Sequence, residues 1–303
     1  MSILAIFLTV FGLILFETIS SVDNAIINAE VLSTMSQKAR RWFLFWGLLI
    51  AVFLLRGALP WAIVWLTNPS LGPFGALTAA LSSNPEVAMA IERSSHVLLT
   101  GGGIFLIFLF FHWLFLEPKE FGLKGESFFQ KQGVWFYALV SIILAVVVWF
   151  SVNTNPLMAF GAVVGSTSFF IIHGFRQTAE RSEKNLLSSV KSDLAKILFL
   201  EVIDATFSID GVIGSFAYTL SVPLILIGNG IGAIIVRQLT LSNIDRIKKY
   251  IFLKNGAMYS VLFLGAIMIL DGFGFNIPIW LSPLATFVIV LYFFLMSTKK
   301  TNL

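Results

Sequence analysis

Two stretches carry acids where an apolar setting surrounds them. "FETISSVDNAII", residues 16–27, follows the apolar run from Ile3 to Phe16 and brings in Glu17 and Asp23. "EVIDATFSIDGVIG", residues 201–214, brings in Glu201, Asp204 and Asp210. A carboxylate at the centre of a bilayer costs about 2.5–3.5 kcal/mol on insertion scales, so these acids cannot face lipid. They must face one another, a cation, water or a basic partner. Arg56 and Arg237, also set in apolar runs, can neutralise two of them. The excess negative charge suits a divalent cation or exchangeable protons. The neighbouring donors are hard oxygens: the Asn24 and Asn28 amides, the Ser21 and Ser208 hydroxyls and backbone carbonyls. Such sets suit Mg²⁺, Ca²⁺ and Mn²⁺. Thiolate sites are excluded, because the chain has no cysteine, and its three histidines, His96, His112 and His173, are scattered and read as structural or interfacial.

Plainer readings of the same residues stay open. Asp23 and Asp210 could pair with Arg56 and Arg237 to fix helix packing. Glu17, Glu201 and Asp204 could face water or an interface, and Asn24 and Asn28 could bond across helices. Helical periodicity at about 100° per residue puts Glu17, Ser21, Asn24 and Asn28 on one face, and Glu201, Asp204, Ser208 and Gly211 on another. Asp23 and Asp210 point elsewhere on straight helices. A straight helix from Met1 to Met35 would be about 50 Å long. That exceeds the hydrocarbon core, so a break or a cytosolic extension is expected in the first stretch, and Gly211 or Gly214 could mark one in the second.

The elements that position these acids are membrane helices. The chain of 303 residues is 57% hydrophobic and 12% charged, with a mean hydropathy of +0.91; a soluble domain carries roughly 25% charged residues. Nine apolar segments are expected, at 2–22, 43–66, 97–116, 134–152, 156–175, 196–218, 222–241, 255–271 and 277–296. The runs are continuous rather than alternating, which argues against a β-barrel. The N-terminus lacks a basic region and a cleavage site, so it reads as a mature helix rather than a signal peptide. With the N-terminus outside, 18 of the 20 Lys and Arg fall on the inner side, which predicts N-out, C-in. That asymmetry accounts for the pI near 9.3 without a nucleic-acid partner. Residues 67–95 read as an external loop with a short amphipathic helix near 86–93, and 180–196 as a helical cytosolic connector. "TGGGIF" at Thr100 lacks the Lys and strand context of a phosphate loop and reads as close helix packing.

An internal repeat organises the segments. Glu17 aligns with Asp204, Ser21 with Ser208, Asp23 with Asp210, and Ile26 with Ile213. "VFLLRG" around Arg56 resembles "AIIVRQ" around Arg237, and "HVLLTGGGIF" resembles "YIFLKNGAMY". Segments 1–3 and 6–8 thus read as one three-helix unit used twice, the second copy upside down. The expected organisation is an all-α polytopic transmembrane bundle forming a single membrane domain, 1–303. Its parts are a first repeat at 1–117, added helices and connector at 118–195, a second, inverted repeat at 196–272, and a final helix and tail at 273–303. Inverted repeats recur in secondary transporters, which bind substrate and coupling ions at the repeat interface.

At these residues the chain resembles the TerC family of integral membrane proteins. The resemblance rests on "FETISSVDNAII", "EVIDATFSIDGVIGSFAYT", Arg56 and Arg237, and extends to "FLKNGAMYSVLFLGAIMIL" followed by "FNIPIWLSP". It implies a role in metal-ion homeostasis, notably manganese export, or in resistance to tellurium oxyanions. It also implies Glu17, Asp23, Asn24, Glu201, Asp204 and Asp210 as functional positions, with Arg56 and Arg237 as charge partners. The function then expected is a secondary transporter exporting a divalent cation, Mn²⁺ foremost, with protons as the candidate exchange ion. No nucleotide-binding motif or permanent cofactor is implied, and the chain does not read as an enzyme. The expected partners are the cation and the lipid bilayer, with the bacterial cytoplasmic membrane as location and a homo-oligomer left open. Two alternatives remain: a non-transporting scaffold or metal or stress sensor, and an intramembrane aspartyl protease. The second lacks the Gly-x-Gly-Asp element.

Overall fold

Apolar backbone that leaves water must bond to itself, and single continuous runs do so as helices. The computed structural model describes residues 2–47, 50, 56–67, 69–81, 85–119, 122–123, 125–187, 192–242 and 249–301, and no strand occurs among them. The side chains of Asp23 and Arg56, and with them the roles expected of both, lie outside the described residues. The chain begins with α1 (Ile3–Ser20), α2 (Val22–Ser33) and α3 (Gln37–Trp42), then a π-helical turn, Phe43–Gly47. After α4 (Arg56–Thr67) come α5 (Gly72–Leu81), α6 (Pro85–Leu116) and α7 (Glu126–Lys131). Next are α8 (Trp135–Thr154), α9 (Pro156–Leu187), α10 (Asp193–Ser215) and α11 (Val222–Ser242). The last two are α12 (Leu253–Gly272) and α13 (Leu281–Thr301). Ser2, Ser36 and Ser192 cap α1, α3 and α10 by accepting the N–H of Ala5, Ala39 and Ala195, the usual use of serine at that position. Pro85 and Pro156 open α6 and α9, where the missing N–H does no harm.

Among the described residues, six helices are long and apolar enough to cross a membrane: Ile3–Ser20, Ser94–Leu116, Trp135–Thr154, Pro156–Thr178, Leu253–Gly272 and Leu281–Lys299. Large apolar side chains such as Ile3, Phe7, Val134 and Trp149 point outward. The chain is an integral membrane protein, an all-α polytopic helical bundle. Six of the nine expected segments correspond to these helices. The other three differ for stated reasons: α11 is continuously apolar only over Val222–Gln238, α10 carries the acids, and 43–66 lies partly outside the described residues.

Two boundaries differ from the sequence reading. Residues 67–95 are largely helical rather than a loop: a 3-10 turn at Pro69–Leu71 leads into α5, where Gly72 takes a positive φ of 64° that only glycine adopts easily. The short helix expected near 86–93 is the start of α6, which runs unbroken from Pro85 to Leu116. The connector at 180–196 is helical as far as Leu187 and again from Asp193; residues 188–191 lie outside the described residues.

The centre of the bundle is α6, 83% buried over Ser94–Leu116, whereas Trp135–Thr154 is only 22% buried. It packs between α9 and α12. "TGGGIF" explains how closely. A Cβ on Gly101 would stand 2.7 Å from the Gly161 carbonyl oxygen, and one on Gly103 would stand 2.8 Å from that of Gly265. Small residues let membrane helices touch backbone to backbone, so the packing reading of this motif holds. Phe105 and Phe108 then meet Phe169 edge-on. Outside this core, α1 packs on α11, and α10 packs on α2, α4 and the π-helical turn.

Candidate cation site

The break expected in the first motif falls at Ser21 (φ −91°, ψ 5°), which separates α1 from α2. It is one residue wide. Ser21 N–H still reaches the Glu17 carbonyl at 3.2 Å, and Ala25 N–H reaches that of Ser21 at 2.9 Å. The second motif has no break, since α10 runs through Asp210 and Gly211.

Glu17 is fully buried, and Ser21 Oγ donates to its Oε1 at 3.0 Å. Two glycines make room for it. A Cβ on Gly211 of α10 would lie 2.6 Å from Glu17 Oε2, and one on Gly232 of α11 would lie 2.7 Å from Glu17 Cβ. The carboxylate therefore occupies the space of two absent side chains.

Further along the same face, Asn24 and Asn28 converge on Asp204. Asn24 Nδ2 donates to Asp204 Oδ1 at 2.5 Å, and Asn28 Nδ2 donates to the same oxygen at 2.9 Å. Asn24 and Asp204 are 6% and 7% exposed, so this contact is shielded from water. Residues 17, 24 and 28 rise along α1 and α2 while their partners 211 and 204 fall along α10, so the two motif helices run antiparallel. The carboxylate turns both amide N–H₂ groups toward itself and leaves both amide oxygens facing away. Asn24 Oδ1 and Asn28 Oδ1 are inaccessible and have no hydrogen-bond partner among the described residues.

Glu201 lies about one turn before Asp204 on α10. Both its carboxylate oxygens are likewise inaccessible and without a hydrogen-bond partner among the described residues. Its Oε1 lies against the π-helical turn, where a Cβ on Gly47 would come within 2.5 Å. Arg237 and Asp204 both act on its charge. Arg237 Nη2 donates to the Phe43 carbonyl in the π-helical turn, and the guanidinium lies over the Phe43 ring, 4.7 Å from its centroid; the side chain of Asp23, one of the aspartates it was expected to meet, lies outside the described residues.

Asp210 stands apart from these oxygens. Its Oδ2 is 3.5 Å from Arg176 Nη1 of α9, and it lines a cavity shared with Glu117 and Lys254. Six residues separate it from Asp204, which turns its side chain roughly 120° away on a straight helix. The structure thus brings together Asn24 with Asp204 and places Glu201 one turn along. Glu17 is held at the Gly211 level of the same helix, and Asp210 belongs to a different environment. Among the described residues no three His, Asp or Glu side chains converge to hold a metal ion. Glu117, Arg176, Lys254, His112 and His173 were not legible as a group in the sequence. They come from three separate places in the chain, the end of α6, the interior of α9 and the start of α12.

No curated protein and no solved structure matches the chain. A family match begins at Val22, so that α1 and Glu17 precede it. Residues 22–302 match the family described as "Protein of unknown function (DUF475)", and the chain belongs to that family.

Proposed function

We propose that the protein is a secondary transporter that moves a hard divalent cation, Mn²⁺ foremost, through the acidic interface of α1–α2 with α10. One observation carries the reading. Four carbonyl or carboxylate oxygens, of Asn24, Asn28 and both arms of Glu201, are buried without a donor among the described residues, next to the Asp204 carboxylate. A buried acceptor left unmet costs about 1–3 kcal/mol. A cation that prefers oxygen ligands would satisfy several at once. Asp204 and Glu201 supply charge, the amides supply neutral oxygens, and the deeper Glu17 offers a further carboxylate on the same helix pair. The mix lacks sulfur and imidazole, which favours Mn²⁺, Mg²⁺ or Ca²⁺ over Cu(I) or structural Zn²⁺.

The pattern of packing supports an inverted repeat. The third helices of the two halves, α6 and α12, pack on each other. The first helix of each half packs on the second helix of the other, α1 on α11 and α10 on α4. The resemblance to the TerC family points the same way. It counts against an aspartyl protease built on Asp204 and Asp210 that the two meet different partners, because that chemistry needs two carboxyls sharing a proton; the other candidate pair, Asp23 with Asp210, includes a side chain outside the described residues. The orientation we propose is N-out and C-in, in a bacterial cytoplasmic membrane, from the distribution of Lys and Arg.

The test is Mn²⁺ flux into vesicles reconstituted with purified protein, read by an enclosed metal-sensitive dye. Wild type should fill the vesicles, and Asp204→Asn and Glu201→Gln should not, at equal reconstitution. Wild-type vesicles that fill no faster than empty ones would leave a scaffold or sensor as the better reading.

A further inference from the structure

The charged residues that the cation site does not use gather on the other side of α1 and α10. Glu117 follows α6, Arg176 lies on α9, Asp210 on α10 and Lys254 on α12. All four line one cavity of about 40 Å³, closed by apolar residues such as Phe16, Leu109 and Val261. At roughly 10–15 Å³ per water, it has room for about three or four waters.

Two carboxylates and two cations balance in number but not in geometry. Lys254 Nζ is 2.7 Å from Glu117 Oε2, a charge-assisted hydrogen bond. Arg176 Nη1 is 3.5 Å from Asp210 Oδ2, an ion pair too long for a strong hydrogen bond. His112 Nδ1 stands 3.8 Å from Glu117 Oε1, and the rings of His112 and His173 are 3.7 Å apart between centroids. Burial opposes charge on Glu117, but His112, Lys254 and Arg176 outweigh it and hold the carboxyl well below its ordinary range. Glu117 is therefore a fixed anion, and Asp210 is the more loosely held of the two. The groups facing the cavity from α1 and α2 are Phe16, Ile19, Ser20 and Val22, and the side chain of Asp23 is outside the described residues. Lys119, beyond α6, acts on Glu117 from further off.

We propose that this cavity is a proton-binding site, in which Asp210 gains and loses the proton. A proton from solvent adds to an Asp210 oxygen. Arg176, released from that ion pair, turns toward Glu117, on which its charge already acts. Release reverses both steps; one O–H bond forms or breaks, and no electron moves. The site is separate from the cation oxygens, and only its use as a coupling site rests on the transport reading.

Infrared titration of the metal-free full-length protein in lipid nanodiscs tests it directly. Wild type should show a protonated-carboxyl band that titrates with pH. Asp210→Asn should lose that band, and Asp210→Glu and Glu201→Gln should keep it. A band unchanged in Asp210→Asn, or absent from wild type, overturns the proposal. Should Asp210→Asn fail to fold, Arg176→Gln decides: removing the neighbouring cation should move the midpoint to higher pH, and an unmoved midpoint overturns it. A second arm separates the two readings. Calorimetry with Mn²⁺ should show that Asp210→Asn still binds the metal, while vesicles carrying it lose Mn²⁺-driven proton movement. If wild type binds no Mn²⁺, the transport reading falls, and the infrared result still decides the proton site.

Discussion

Replacing Asp204 by Ala and by Asn should separate the structural work of its carboxylate from its work on a cation. Asp204 Oδ1 accepts from both Asn24 Nδ2 and Asn28 Nδ2. Asp204→Ala leaves two amide donors without that acceptor. A buried donor left unmet costs about 1–3 kcal/mol, so the pair costs roughly 2–6 kcal/mol, with the lower end favoured because Asn28 is half-buried. Asp204→Asn keeps an oxygen in the same place. Its two bonds become neutral ones, a loss of about 1 kcal/mol each, partly offset because a neutral amide is easier to bury than a carboxylate. Thermal unfolding in nanodiscs should therefore rank wild type, Asn, Ala in falling stability. Metal binding should follow a different order. Both variants lose the charge of the proposed ligand, so both should bind Mn²⁺ at least about tenfold more weakly, on the order of 1.4 kcal/mol, by calorimetric titration. An Asn variant that binds Mn²⁺ as tightly as wild type would refute Asp204 as a ligand. An Ala variant as stable as the Asn variant would refute the amide clamp.

Three further outcomes follow from other parts of the molecule. Gly165→Val puts side-chain atoms into the Gly101 backbone of α6 and should cost about 1–3 kcal/mol by overpacking, while Gly174→Ala, with nothing within 4 Å of the added Cβ, should change stability by less than about 1 kcal/mol; equal losses in thermal unfolding would undo the α6–α9 packing assignment. Gly211→Ala places a methyl 2.6 Å from Glu17 Oε2 and should weaken Mn²⁺ binding about tenfold by displacing that carboxylate, again about 1.4 kcal/mol; unchanged affinity would remove Glu17 from the cation site. The ionised Glu117 contributes stability that is complete above the ordinary carboxylate value of about 4.3 and is lost as the pH falls through its lower folded value. Glu117→Gln should therefore flatten the acid limb of the unfolding profile, and an unaltered limb would contradict the ion-pair network.

What could be read in advance divides along physical lines. Continuous apolar runs and a 3.6-residue period are local properties, so the helical bundle and the shared face of Glu17, Ser21, Asn24 and Asn28 were legible. The partner that this face meets was legible only through the repeat, which pairs the two acid-bearing motifs. Length alone called for a break or a cytosolic extension in the first motif; that it is a break, and that it falls at Ser21, was not legible, because no proline or glycine marks it. Nor was Asp210 readable. Its spacing from Asp204 excluded a common face, but which face it did meet depended on Arg176, which lies on α9, outside both repeats. Residues near segment ends, such as Glu117 and Lys254, read singly as interfacial charges. Only tertiary packing turns them inward as a pair.

Asp210 and Gly211 are consecutive on α10, and they meet different surroundings. Asp210 lines the charged cavity, and Gly211 lies against the Glu17 carboxylate at a distance that leaves no room for a side chain. A helix is stiff over a single peptide, so α10 cannot turn or slide by an ångström at one of these residues and stay fixed at the other. Protonating Asp210 weakens the ion pair to Arg176 that ties α10 to α9. Any movement this permits is delivered one residue later to the wall of Glu17, and further toward the N-terminal end of the helix to Asp204 and Glu201. Phe16 makes the same connection from the other helix: it lines the cavity and is bonded to Glu17 in the chain. The two sites are thus linked through rigid backbone on both α1 and α10, and no long relay is needed for the charge of one to alter the oxygen geometry of the other.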